Sequence, residues 1–309
     1  MGSVGAATLR AWTPIRVRPN RGEPLVDWAI VEERFTDPFF EQTADRAMRR
    51  PFNRVFARST TLDALRQLGA HEPPLAPNGF VFHMSRCGST LVAQMLAALP
   101  ASIVVSEAQP LDAIVALCRA DRLSENDAVL TLRGALSALG RPRLGERRLF
   151  VKFHASHVHE LPMVAQAFPG VPWVFLFREP RAVLSSQAQT LGAEAFAGET
   201  GVVPDEELAA GAVAAYCEAA LRHASIGRSS FVDYARLPDA VVDEILPFFG
   251  VDLGDGDAER LNEIARRDTK RPGEFTSREP ANPSTRIDAL AARLLDPAYE
   301  AMRARAAPR

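Results

Sequence analysis

Ser85-Arg86-Cys87-Gly88-Ser89-Thr90 is a stretch whose residue types could hold an anion. A strand-like apolar run, Gly79 to Met84, leads into it, and a helix-like run follows. A strand-to-helix turn of this kind points successive backbone N–H groups at one place, helped by the helix dipole. Gly88 permits close approach of the backbone, Ser89 and Thr90 bring hydroxyls, and Arg86 brings a fixed charge. The pattern departs from the usual G-x-x-x-x-G-K-[S/T] phosphate loop, because no lysine precedes Ser89 and Cys87 intrudes. Taken alone, the residues suit a tight turn with a capping serine equally well.

Two further stretches carry chemistry. In "FLFREPRAVLSSQ", Arg178 closes an apolar run, Pro180 opens a helix, and Ser186 follows eight residues after the arginine. Such a pair can grip one phosphate from two sides, or be a surface arginine and a solvated serine. In "FVKFHASHVHELP", Lys152 and His154 alternate to the same side of an extended strand end. A lysine there can stabilise charge on a transferring group, and a histidine can take a proton at neutral pH. No Cys or carboxylate at metal-site spacing accompanies the histidines of "HASHVH", so no metal is expected; His157 and His159 read as helix residues.

The elements that must position these groups alternate along the chain. Apolar runs at 79–85, 102–107, 147–154, 171–179 and 229–237 read as strands. Helical patterns lie between them, at 89–99, 111–120, 125–139, 157–168, 180–191 and 205–224. Continuous apolar strands separated by helices predict an α/β fold with a central parallel sheet covered by helices on both faces. Ligands bind such sheets beyond the carboxyl ends of the strands, where Arg86, Glu107, Lys152, His154 and Arg178 all fall. Residues 1–24 read as an irregular arm, and 26–68 as helices with N-caps at Asp37 and at Ser59 or Thr60. The prolines of "HEPPLAPNG" read as a linker, dividing the chain into an extension (1–76) and a main domain (77–309).

At 309 residues, with 47% hydrophobic and 24% charged, the composition is that of a soluble globular protein. A net charge of −2 argues against broad binding to nucleic acid or acidic membranes, while a local basic pocket stays compatible with it. Cys87, Cys118 and Cys217 are far apart and odd in number, which fits a reducing cytoplasm. The opening residues have no apolar core of signal-peptide length, and no segment reaches transmembrane length. A cytoplasmic protein without nucleic-acid or membrane partners is expected.

With its three stretches taken together, from about Gly79 to Leu253, the chain resembles the sulfotransferases that use 3′-phosphoadenosine 5′-phosphosulfate (PAPS). It is similar to the tyrosylprotein-type and related bacterial branches. The resemblance implies a three-layer, P-loop-like fold, PAPS as donor, 3′-phosphoadenosine 5′-phosphate (PAP) as product, no metal, and a small-molecule or peptide acceptor. It implies that Arg86, Cys87, Gly88, Ser89 and Thr90 hold the 5′-phosphosulfate, and that Arg178 and Ser186 hold the 3′-phosphate. Lys152 then stands near the transferring group, and Glu107 or His154 is the base, each matching a different branch, with Glu107 slightly favoured. Lys270 and Arg271 match a basic loop over the nucleotide, or form a solvated loop. The first 70 residues match nothing in the family core and read as a lid or an oligomer contact. The competing readings are a P-loop kinase of a small molecule, which would need a Walker lysine, and a non-catalytic nucleotide-binding module.

Overall fold

In the computed structural model, which describes residues 9–71, 75–196, 205–266 and 284–306, the chain opens with an antiparallel sheet. Its strands are β1 (Thr13–Arg18), β2 (Leu25–Ala29) and β3 (Arg58–Thr61), in that spatial order. This corrects the expected irregular arm and all-helical extension. In β1 the buried Ile15 and Val17 alternate with the exposed Arg16 and Arg18, a period of two that a half-buried strand imposes. Ser59 and Thr60 cap nothing: they pair with Asp27 and Val26, and Thr60 Oγ1 accepts from Trp28 Nε1 at 2.9 Å. Asp37 does not cap either. Helix α1 (Phe40–Met48) starts behind Phe39, and the Asp37 carboxylate instead accepts from Arg46 at 2.6 and 2.9 Å and from the Thr43 hydroxyl. The helical expectation holds for α1, α2 (Pro51–Val55) and α3 (Leu62–His71).

Beyond residue 75 the alternation read from the sequence is present. The elements are β4 (Pro77–His83), α4 (Ser89–Ala98), β5 (Ser102–Ser106), α5 (Gln109–Arg119), α6 (Glu125–Leu139) and β6 (Arg148–Lys152). After a 3₁₀ turn (Ala155–Glu160) come α7 (Leu161–Ala167), β7 (Trp173–Phe177), α8 (Pro180–Phe196), α9 (Glu206–Arg222) and β8 (Ser229–Asp233). The helix expected at 157–168 is thus a 3₁₀ turn followed by α7, with Pro162 in the first turn of α7.

The five strands form one parallel sheet in the order β5-β6-β4-β7-β8. All five residues of both β5 and β7 are buried, as a sheet covered on both faces requires. The chain runs from β4 past the place of β6 to β5, returns to β6, then crosses to β7 on the other side of β4. That route places the ends of β6, β4 and β7 side by side, and ligands gather where strand order reverses in this way.

The extension is held to this core by polar contacts as well as a shared hydrophobic cluster. Arg34 Nη2 donates to the carbonyls of Ala97 and Leu99, both at 2.7 Å, and so occupies the C-terminal end of α4. Gln109 exchanges two hydrogen bonds with the Val17 backbone, at 2.7 and 2.8 Å. Helices α3 and α6 touch backbone to backbone, and a Cβ added at Gly134 would lie 1.8 Å from the Leu65 carbonyl oxygen. No side chain fits there, so the two helices must part to admit one. Gly134→Ala should therefore lower the unfolding free energy by about 3 kcal/mol, measured by chemical denaturation.

Candidate functional site

The loop after β4 is shaped by its backbone. Ser85 (φ 76°), Arg86 (φ 52°) and Gly88 (φ 80°) are all left-handed, which for the first two is a strained state. Turns of this kind aim N–H groups at a common point. A side chain at Gly88 would also collide with Leu237 and Tyr234, at 2.8 and 2.9 Å. As N-cap of α4, Gly88 supplies no capping group, so the first-turn amides of that helix are left for another acceptor. The hydroxyl residues Ser89 and Thr90 are buried but line the cleft above the loop. Cys87 is turned the other way: its Sγ donates to the Leu176 carbonyl, and burial pushes the thiol up to about 12. Only its backbone is available to a ligand in the cleft.

Arg86 is the joint between this loop and β7–α8. Its Nε donates to Ser186 Oγ at 3.0 Å and its Nη2 to the Ser186 carbonyl at 3.3 Å. Arg178 in turn donates from Nη1 to the Arg86 carbonyl at 3.2 Å, and its guanidinium lies 4.2 Å from the centre of the Tyr234 ring. The two arginines, 92 residues apart in sequence, therefore stand together at one edge of the sheet, with Ser186 beside them. Arg178 and Ser186 do not line the cleft themselves; they meet it through Arg86.

The other wall of the cleft is built around a carboxylate. Glu107 follows β5 in a left-handed conformation (φ 48°), held there by its N–H donating to the Lys152 carbonyl at 2.8 Å. The same Oε1 of Glu107 receives the Lys152 Nζ as an ion pair and has the His83 Nε2 at 3.4 Å. Lys152 is only 1% exposed, and the Phe39 ring covers it, with the amine 5.1 Å from the ring centre. It stands behind Glu107 and does not itself line the cleft. His154, expected on the same side of the strand as Lys152, is exposed and does line the cleft, because β6 ends at Lys152 and His154 caps the 3₁₀ turn instead.

The electrostatics follow from these contacts. Burial would raise the Glu107 pKa, but the His83 contact and the Lys152 charge outweigh it and hold the carboxyl well below the usual range. Burial lowers the Lys152 pKa, opposed by Glu107. Burial also pushes His83 down to about 4 in spite of Glu107, so its ring is neutral at pH 7. Asp112, in the first turn of α5, is pushed up to about 7 by burial and by the Glu107 charge.

The cleft encloses about 240 Å³. Gln187 from α8 and Ala209, Ala212 and Tyr216 from α9 complete it. Sequence reasoning missed His83, Phe39, Tyr234 and Tyr216. For His83 a signal existed, since it is a lone imidazole closing an otherwise apolar strand two residues before the loop. Lys270 and Arg271 lie outside the described residues. Among the described residues, no three His, Cys, Asp or Glu side chains are grouped to hold a metal ion.

No family model matches the chain, and no curated protein does. Solved structures do. Sulfotransferase STF9 from Mycobacterium avium aligns over 86% of this chain and 93% of its own, at 14% identity and a TM-score of 0.52. The sulfotransferase domain from the curacin biosynthetic pathway aligns over 72% of this chain and 98% of its own, at 15% identity and 0.45. Mouse sulfotransferase SULT7A1 complexed with PAP aligns over 78% and 90%, at 12% identity and 0.43. The likeness to STF9 is one of fold: the three-layer α/β architecture is shared.

The buried neutral His83 makes the protein acid-sensitive in a definite window. A group whose folded pKa is depressed stabilises above its unfolded value and loses that contribution as pH falls towards the folded one. For His83 the window runs from about 6.5 down to about 4, and its span corresponds to about 3 kcal/mol at most. Unfolding free energies measured between pH 7 and 4 should fall more steeply for the wild type than for His83→Gln, which does not titrate.

Proposed function

We propose that the protein is a PAPS-dependent sulfotransferase, moving a sulfuryl group to a hydroxyl or amine of a small-molecule or peptide acceptor. The observation that carries the reading is the meeting of Arg86, Arg178 and Ser186 at the loop before α4. Two guanidiniums, uncapped helix amides and the Ser89 and Thr90 hydroxyls form a donor set suited to a ligand with phosphates at two places. The residues present therefore fit PAPS. Arg178 and Ser186 would hold its 3′-phosphate, and Arg86, Gly88, Ser89 and Thr90, with the Cys87 backbone, its 5′ end. The 5′-phosphosulfate, when bound, supplies the sulfuryl group for in-line transfer.

The chain's own residues then have distinct tasks. Arg86, whose bonds to Ser186 can be exchanged for phosphate oxygens, stabilises negative charge gathering at the 5′ side. Glu107, ionised and facing the cleft, takes the acceptor proton. His154 stands at the rim as the other proton acceptor in reach of the cleft. Lys152 keeps Glu107 ionised and in place from behind. The cysteines, all free, suit a reducing cytoplasm, and no helix among the described residues is long and apolar enough to cross a membrane.

A kinase reading fares worse on one observation. Glu107, the carboxylate that lines the cleft, is already ion-paired with Lys152, so it is not free for the Mg²⁺ that ATP chemistry uses. Calorimetry with PAP and with Mg·ATP separates the two: PAP should bind and ATP should bind more weakly by at least tenfold. Arg178→Ala should weaken PAP binding by about 10- to 100-fold, the worth of a charge-assisted phosphate contact. Labelled sulfate should pass from PAPS into a component of a metabolite extract. Tighter binding of ATP, or PAP binding untouched by Arg178→Ala, overturns the assignment.

A further inference from the structure

Glu107 does not present its two oxygens alike. Oε1 takes the Lys152 amine and faces His83 Nε2 at 3.4 Å. Among the described residues, Oε2 makes no hydrogen bond or ion pair. The His83 ring is itself fixed from the far side, since the Ser85 N–H donates to Nδ1 at 3.1 Å. With Nδ1 an acceptor, the ring proton of neutral His83 sits on Nε2, which is buried and makes no hydrogen bond among the described residues, with Glu107 Oε1 3.4 Å away as the charged acceptor beside it. A buried N–H left unbonded is costly, which favours drawing the Glu107 carboxylate oxygen, already at 3.4 Å, towards it.

We propose that His83 is the positioning residue of the proposed base: with Lys152 it pins Oε1 of Glu107, so that Oε2 alone faces the acceptor and takes its proton. This rests on the sulfotransferase reading above and specifies its base. In the step, the acceptor O–H or N–H bond breaks and an Oε2–H bond forms. The electron pair left on the acceptor atom makes the bond to sulfur, and the pair of the breaking S–O bond leaves with the nucleotide phosphate. Lys152 stays protonated and His83 stays neutral throughout, so neither gains or loses a proton. The Ser85 amide that fixes the imidazole belongs to the phosphate loop itself. The orientation of the base is thereby tied to the loop that grips the donor, and the two halves of the site are set by one short segment, residues 83–86.

The titratable groups around Glu107 are His83 on β4, Lys152 on β6, Asp112 on α5 and His157 in the 3₁₀ turn, with His154 across the same cleft. Of these, His83 can be removed without leaving a charge unpaired. The test compares wild type, His83→Leu and His83→Gln, the last keeping an amide N–H to offer Oε1. In the free protein with ¹³C-labelled glutamate, the Glu107 carboxyl should titrate at least one unit higher in His83→Leu than in wild type, and return most of the way in His83→Gln. Initial rates of label transfer from PAPS into a metabolite extract should fall at least tenfold in His83→Leu, with PAP affinity within threefold. The rate in His83→Gln should recover to within threefold of wild type. An unmoved carboxyl titration, or a wild-type rate in His83→Leu, overturns the role of His83. The underlying reading fails separately, by the wild type binding no PAP or transferring no label. Melting curves of the three proteins identify a merely unfolded variant, and if His83→Leu proves unfolded, His83→Ala takes its place with the same expected and overturning outcomes.

Discussion

A lysine amine buried to 1% exposure must have an anion against it, and the Lys152–Glu107 pair is the interaction around which this site is arranged. Taking an ammonium and a carboxylate out of water costs several kcal/mol per ion, which only close pairing and further hydrogen bonds offset. Three features of the fold supply them. The parallel pairing of β5 with β6 sets Ser106 opposite Lys152, one residue short of Glu107. The left-handed turn at Glu107 brings its side chain back over the strand end, fixed by its own N–H on the Lys152 carbonyl. Phe39 then closes the top with its ring face, which favours a cation.

That last contact gives the N-terminal extension a place in the site. Phe39 lies in the turn before α1, and α1 is braced by Asp37 gripping Arg46 and Thr43. Arg34, a few residues earlier, holds the far end of α4, the helix whose first turn forms the anion-binding loop. One short segment, 34–39, therefore touches both ends of the machinery: the C-terminus of the loop helix and the cover of the buried pair. The extension is built into the cleft as well as the outer surface, since Phe39 is among the residues lining it.

How much of this could be read from the sequence depends on whether the contacts are local. The five central strands were legible because a doubly covered strand is written as an unbroken apolar run, as in Trp173–Phe177. The strand-to-helix turn at 85–90 was also legible, because it is a spacing within one segment; that Ser186 meets Arg86 rather than Arg178 was not, because that contact joins two segments 100 residues apart. Strand β2 was not: Asp27 and the charged residues after Ala29 resemble a helix with a polar face, and what makes 25–29 a strand is its neighbours β1 and β3. In β1 the alternation of Ile15 and Val17 with arginines was present and short, six residues flanked by prolines and arginines. The common strand face expected for Lys152 and His154 failed for a related reason. Their spacing is right for it, but the strand ends between them and the next turn starts.

The burial of Lys152 also bears on how charge is distributed over the sheet edge. Arg86 and Arg178 stay partly exposed and hold each other's neighbourhood through backbone and hydroxyl acceptors, Ser186 Oγ and the carbonyls of Ser186 and Arg86. None of these acceptors carries a full charge. Lys152, by contrast, is consumed by Glu107 and contributes almost no net field. The edge thus separates into a cationic half, at the ends of β4 and β7, and a half beside β5 and β6 whose charges cancel in pairs. An anionic donor is drawn to the first half, while an acceptor that must give up a proton meets, in the second, a carboxylate that the low dielectric has not neutralised because its partner is buried with it.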